Sequence, residues 1–153
     1  MLFRSQRDKL QTGIKSAMDE FKSHQSVPET LLSLSDMVKE RGAWPSSVLC
    51  FLWLGLCNVH KTSSTNYLAA VKEFTTAAMT DKDSKFASQA DIVPALERLI
   101  SREAPDFLDE NINAQQFLAE LVATYVHAGT VTFKQVCPPL FILTSTSIRL
   151  QLL

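Results

Sequence analysis

The chain has few of the residues that make turns and disulfides. Its 153 residues include 4 glycines, 6 prolines and 3 cysteines. Turn signals are therefore sparse, which favours helices joined by short links over many strands. The cysteines are Cys50, Cys57 and Cys137, and no two of them form a C-x-x-C pair. The absence of this pair excludes a C-x-x-C zinc site and C-x-x-C dithiol redox chemistry. We expect reduced, buried thiols, as in proteins of the cytosol or nucleus.

Long hydrophobic runs and an excess of one charge are also missing. The longest apolar run, residues 48–57, has 10 residues, whereas a membrane span needs about 20. The first nine residues carry charges where a signal peptide would be apolar. The formal net charge is -1, from 15 basic and 16 acidic residues, which argues against long-range capture of nucleic acid or an anionic membrane. We expect a soluble, cytoplasmic protein that does not bind membranes and meets nucleic acid only indirectly.

Motifs of catalysis are absent from the sequence. It contains no glycine-rich phosphate loop, no G-x-S-x-G elbow and no H-E-x-x-H. His24, His60 and His127 lie in different segments, each near the C-terminus of a predicted helix, where an imidazole can meet free carbonyl groups. The hydroxyls of residues 63–65 precede an apolar periodic run, as helix caps do. The sequence predicts no enzyme, no cofactor and no metal site.

Apolar side chains recur every three to four residues along most of the chain, which indicates amphipathic helices. The first stripe consists of Leu10, Ile14, Met18 and Phe21. Further helices are predicted to begin at Ser26 to Pro28, Pro45, Ser63, Ser88 or Asp91, and Asn113, with Gly42 and Gly129 as stop signals. Residues 46–60 are apolar around most of the helix circumference, so we expect them to form the central helix, with Trp44 and Trp53 in the core.

These patterns predict an all-α fold of six to seven helices packed as antiparallel hairpins. We expect the domain to cover residues 10–137, after an N-terminal extension of residues 1–9 and before an apolar tail of residues 138–153. Asn113 followed by Gln116 matches a capping box for the sixth helix. A short seventh element from Thr132 is expected to end at Pro138. The sequence predicts neither the structure of the tail nor the oligomeric state.

Acidic residues concentrate in the predicted link between the fifth and sixth helices. Residues 97–120 contain six acidic and two basic side chains. Like charges in a short link repel each other, and a basic partner surface, best supplied by arginine, would relieve that repulsion through charge-assisted hydrogen bonds. The alternatives are compensation of a helix dipole together with solubility, or a calcium loop, whose alternating oxygen ligands and glycine are missing. The candidate partner-binding residues are Glu103, Asp106, Asp109, Glu110, Asn111 and Asn113.

The same region carries a family resemblance. Residues 91–99, the acidic residues up to Glu110 and residues 117–123 together resemble the MA-3 domain of the translation initiation factor 4G scaffold family, and residues 128–131 are similar to its glycine turn. The resemblance extends over residues 10–137. It implies a HEAT-type stack of helical hairpins that docks a DEAD-box RNA helicase through loops between helices. The family's aspartate-hydrophobic-proline triplet reads Glu110-Asn111-Ile112 in this chain.

Two functional hypotheses follow. The first is a non-catalytic protein–protein interaction module of a translation initiation scaffold or regulator, with the acidic link as the docking site for the helicase. The alternative is a generic helical adaptor that binds a partner helix through an apolar groove. An enzyme would instead require titratable groups that converge in a pocket.

Overall fold

Helices form all the regular secondary structure in the part of the chain that the structure describes. The structure is a computed structural model, and it describes the backbone of residues 2–103 and 113–130, with side chains from residue 7 onward. The six α-helices are α1 (Leu2–His24), α2 (Val27–Lys39), α3 (Pro45–Val59), α4 (Ser64–Thr80), α5 (Ile92–Arg98) and α6 (Ala114–His127). A 3-10 turn, Gln89–Asp91, precedes α5, and a π-helical turn, Leu99–Glu103, follows it. The predicted all-α fold is confirmed.

Serine residues mark the starts of three helical segments. Ser26 and Ser63 each accept a hydrogen bond from the backbone N–H three residues further on, at the starts of α2 and α4. The backbone N–H of Ser88 donates to Asp91 Oδ2 at 2.8 Å, which begins the 3-10 turn before α5. Each contact satisfies a polar group at a helix end that has no partner within the helix. The predicted caps at Ser26 and Ser63 are therefore confirmed, whereas at Ser88 the Asp91 side chain is the acceptor.

The predicted capping box at the start of α6 is wrong. Asn113 precedes α6, but its side chain makes no cap hydrogen bond. Its amide Nδ2 instead donates to the backbone carbonyl of Lys61 at 2.7 Å, and Gln116 Nε2 donates to Glu120 Oε1 at 3.1 Å. A neighbouring segment that is distant in sequence competes for the Asn113 side chain, and a local motif gives no information about such a neighbour.

Glycine ends two of the helices, as the sequence predicts. Gly42, after α2, has a φ of 73°, and Gly129, after α6, has a φ of 77°. Residues with a Cβ rarely adopt this left-handed backbone conformation, so glycine is favoured at both helix ends.

The central helix is α3, which packs against α1, α2, α4 and α5. Trp53 on α3 is fully buried, whereas Trp44 is 75% exposed. The prediction that both tryptophans belong to the core is therefore wrong for Trp44. This residue lies at the N-cap of α3, before the first helical turn, and so does not belong to the buried surface of the helix.

Buried polar groups of α3 and α4 are paired with each other. Trp53 Nε1 donates to Thr75 Oγ1 at 3.0 Å, and the Tyr67 hydroxyl donates to the Trp53 carbonyl at 3.1 Å. The Tyr67 ring stacks on Phe117 of α6 with a centroid separation of 5.1 Å. These contacts satisfy groups that would destabilise the core if buried without partners, and they connect three helices.

The first helix begins earlier than the apolar stripe suggests. Residues 2–9, which the sequence assigned to an N-terminal extension, belong to α1, and Arg7 among them contacts Glu103, 96 positions further along the chain. The predicted element from Thr132 and the apolar tail of residues 138–153 lie outside the described residues. Within the described ranges, no helix combines the length and apolarity that crossing a membrane requires.

Candidate partner-binding site

The candidate site is the connector, residues 104–112, which joins the π-helical turn after α5 to the residue before α6. Its flanking residues, Glu103 and Asn113, are described by the structure. The other candidate residues lie outside the described residues; they are Asp106, Asp109, Glu110 and Asn111. The structure therefore defines how the two ends of the connector are held.

The Glu103 end is held by an arginine of α1. The Glu103 side chain is 4% exposed. Its Oε1 accepts a hydrogen bond from Arg7 Nε at 3.1 Å, and its Oε2 accepts one from Arg7 Nη2 at 2.6 Å. Such a two-point contact between a guanidinium and a carboxylate is stronger than a hydrogen bond between neutral groups. It connects residues separated by 96 positions in the sequence.

A second arginine approaches the same carboxylate from α5. Arg98 Nε lies 3.8 Å from Glu103 Oε1, and Arg98 Nη1 donates to the Ser47 hydroxyl of α3 at 2.8 Å. The Arg98 guanidinium lies over the Phe51 ring, 5.2 Å from its centroid, a distance at which a cation is attracted to an aromatic face. Arg98 therefore links the Glu103 carboxylate to the central helix.

Glu103 is thus an internal anchor. A buried carboxylate is stable only when it is paired and hydrogen-bonded, and both arginines that supply this pairing belong to the chain itself. The sequence placed Glu103 with the acidic residues that follow it, because charge density along the chain is a local signal. The contact with Arg7 is a long-range one and has no such signal.

The Asn113 end is held by the turn after α3. Asn113 Nδ2 donates to the Lys61 carbonyl at 2.7 Å. The two ends of the connector are therefore attached to different parts of one helical body: Glu103 to α1 and α5, and Asn113 to the residues that follow α3.

Both described cysteines are buried, as the sequence predicts. Desolvation, reinforced by the nearby Glu103 charge, raises the pKa of the Cys50 thiol well above its usual range. Burial raises the pKa of the Cys57 thiol to about 12. Because the thiolate is the nucleophilic and metal-binding form, these thiols are inert at neutral pH. Cys137 lies outside the described residues.

The three histidines lie at helix ends. His24 Nδ1 accepts a hydrogen bond from the Ser26 backbone N–H at 2.9 Å, whereas the sequence predicts a contact of this imidazole with free carbonyl groups. Burial lowers the pKa of His60 at the C-cap of α3, and His127 is the exposed last residue of α6. Within residues 2–103 and 113–130, no three His, Cys, Asp or Glu side chains are grouped so that they could hold a metal ion.

A groove between α1 and α3 is a second surface of interest, and the sequence reasoning missed its position. It has a volume of about 430 Å³. Its lining includes three lysines, Lys15, Lys22 and Lys61, and one carboxylate, that of Asp19. The lysines lie on α1 and in the turn after α3, so no run of charge in the sequence identifies them as a group.

Comparisons of the chain with protein-family models, with curated proteins and with solved structures found no match. The resemblance to the MA-3 domain stays a prediction from the sequence. That resemblance suggests the identity of the partner, whereas this chain's own residues and the geometry that holds the connector suggest where the partner would bind.

Proposed function

We propose that the chain is a non-catalytic protein–protein interaction module of a translation initiation scaffold or regulator, and that its connector docks a DEAD-box RNA helicase. The observation that carries the proposal is the attachment of both connector ends, Glu103 to Arg7 and Asn113 to the Lys61 carbonyl. Binding residues typically lie on loops that a rigid scaffold positions. An anchored loop also loses less conformational entropy when a partner binds it.

The charge of the connector defines the partner surface. Between its anchors the sequence contains Asp106, Asp109 and Glu110 and no basic residue. Arginines on the partner would form charge-assisted hydrogen bonds with these carboxylates. Because Glu103 is paired inside the chain, it and Asn113 position the connector, while the three carboxylates, with Asn111 between the anchors, contact the helicase.

Charge reversal tests this docking mode. We expect the D106K/D109K/E110K variant to bind the initiation helicase about tenfold more weakly or worse, since each pair becomes repulsive. A matched control reverses three exposed acids elsewhere on the helical body, in E20K/E73K/D83K, and should bind as the wild type does. Isothermal titration calorimetry at two salt concentrations measures the affinity of both variants for the helicase. Absence of wild-type binding at micromolar concentrations, or an equal loss in the control, would count against the proposal.

The alternative function is a helical adaptor that binds a partner segment in a groove. The groove between α1 and α3 favours this candidate. It predicts that reversing the connector charges changes partner binding little, whereas changing the groove residues reduces it. The two candidates therefore separate in the same calorimetric experiment once groove variants are included.

A further inference from the structure

The groove lies where α1 and α3 are in close contact. At Gly55 of α3, an added Cβ would lie 2.7 Å from Met18 Cγ of α1, so only glycine permits this approach without a shift. Gly55 and Leu54 line the groove beside Met18, whose side chain is almost fully buried. The floor is therefore apolar and already packed, and it offers a shallow surface to a side chain from outside.

The rim of the groove is basic. Lys15 and Lys22 of α1 and Lys61 after α3 are exposed, and Asp19 is the one carboxylate among the residues that line the groove. The charged groups of the lining thus sum to two positive charges, three lysines less one aspartate. The ion pairs found in the described ranges involve none of these three lysines.

We propose that this groove binds an acidic amphipathic segment of a protein partner. The apolar floor fits an apolar side chain, and the lysines on both sides fit carboxylates that flank it, which is the charge complementarity that selects partners at interfaces. This surface is separate from the connector, so the inference does not depend on docking there; it rests on the alternative groove function and specifies the chemistry of its partner.

The chemistry of the lining distinguishes this partner from a nucleic acid. Single-stranded nucleic acids bind where exposed aromatic rings stack on bases along a basic track. Phe51, the aromatic residue of the lining, is 3% exposed and cannot serve as such a platform. The concave shape likewise fits an inserted segment better than it fits a membrane surface.

The spacing of the lysines sets the register of the segment. Lys15 and Lys22 are seven residues apart on α1, which corresponds to about 10 Å along the helix axis. A partner helix with carboxylates at positions i and i+7 matches that distance, and an apolar residue between them faces the floor near Leu54. Recognition of an amphipathic helix by a groove uses this kind of periodic anchor.

The probe is a 15-residue peptide of Glu, Leu and Ala with Glu at i and i+7 and Leu between them. Titration into the 15N-labelled full chain should produce saturable amide shifts at residues 14–22 and 54–61. Two control peptides, one with Lys for Glu and one with Ser for Leu, should not produce these shifts. A 15-nucleotide oligothymidine and phosphatidylserine vesicles complete the set of probes.

Protein variants test whether the groove lysines contribute to binding of the acidic peptide. We expect K15E/K22E/K61E to bind the acidic peptide about tenfold more weakly, as for three exposed ion pairs. The control K39E/K72E/K82E changes exposed lysines outside the groove and should retain wild-type affinity. D106K/D109K/E110K should also retain it, which separates this result from the test of the connector.

Three results would overturn the proposal. The first is no shift at millimolar peptide, and the second is a set of shifts outside the groove. The third is tighter binding of the oligonucleotide or the vesicles than of the peptide at the same residues. Far-UV circular dichroism of each variant ensures that a loss of binding reflects the groove, and the lysine variants are expected to match the wild type because their substituted residues are exposed.

Discussion

At the scale of single residues, Glu103 is the most informative side chain in the molecule. It is 4% exposed and lies within 4 Å of two guanidinium groups, those of Arg7 and Arg98. A buried ion pair contributes less through its own strength than through the penalty of leaving one partner alone. Glu103 therefore stabilises the join between α1 and α5 only as long as both arginines and the carboxylate are present.

The first prediction concerns this group. Glu103→Gln removes the charge and leaves Arg7 and Arg98 facing each other, so we expect the free energy of unfolding to fall by about 1–3 kcal/mol. This is less than the 3–5 kcal/mol of a fully buried broken pair, because Arg7 is 34% exposed and water screens it. Urea titration measures the loss. Arg7→Gln should couple to it, so that the double variant loses less than the sum. An unchanged free energy of unfolding in Glu103→Gln would contradict the role of Glu103 as an anchor between α1 and α5.

The second prediction follows from His60, whose pKa burial lowers below the ordinary value of 6.5. The unfolded chain then binds a proton more readily than the folded chain, so stability is greatest above pH 6.5 and falls as the pH decreases below it. We expect the stability of the wild type relative to His60→Asn to decrease over this interval. Urea titrations between pH 7.5 and pH 5 measure the difference. A difference independent of pH would show that His60 does not contribute.

At the scale of elements, the sequence predicts helices well where the signal is local. The apolar stripe from Leu10 to Phe21 and the cap at Ser63 depend on neighbours within a turn, and both agree with the structure. The failures have long-range causes. Asn113 bonds to the Lys61 carbonyl rather than capping α6, and Glu103 pairs with Arg7. Local patterns carry no information about which distant group a polar side chain meets.

The candidate site shows the same division. An acidic link between two helices could be found from charge along the chain, and Asn113 and Glu103 do flank it. The attachment of Glu103 to α1 and α5, and of Asn113 to the turn after α3, could not be predicted from the sequence, since it depends on how the helices pack. The basic groove was missed for the same reason, because Lys15 and Lys61 become neighbours only through the packing of α1 on α3.

The third prediction compares two helical glycines. Gly55→Ala places a Cβ 2.7 Å from Met18 Cγ, close to the backbone of a packed residue, so overpacking should destabilise the protein by about 1–3 kcal/mol. Gly13→Ala meets the end of the Met37 side chain, with Cε 2.9 Å and Sδ 3.6 Å from the new Cβ, and this flexible end can rotate away. There the gain in helix propensity, up to about 1 kcal/mol, should leave stability unchanged or raised. Thermal unfolding of both variants measures the contrast. Equal effects would contradict the close packing of α1 on α3.

At the scale of the whole molecule, one core connects the helices on both sides of the connector. Trp53 of α3, Tyr67 of α4, and Phe117 and Tyr125 of α6 form linked aromatic contacts, with Trp53 and Tyr125 centroids 5.7 Å apart. Because α6 shares this core, Asn113 and Glu103 are held by the same folded unit. A small domain of this kind is expected to unfold in a single cooperative transition.

The fourth prediction tests that cooperativity with the two tryptophans of the chain. Trp44 is 75% exposed, so Trp44→Phe should cost less than about 0.5 kcal/mol. It leaves Trp53, which is fully buried, as the sole tryptophan reporter. We expect its emission to shift to shorter wavelength and to resist quenching by iodide.

The urea transition of Trp53 fluorescence in this variant should coincide with that of far-UV circular dichroism, which follows all the helices. An earlier loss of helix signal would mean that one or more helices detach while the environment of Trp53 persists. If α6 were among them, Asn113 would lose its position beside Lys61 and the connector would be held at the Glu103 end alone. Docking through an anchored connector therefore requires that the fluorescence and circular dichroism transitions coincide, because both connector ends must stay attached until the protein unfolds.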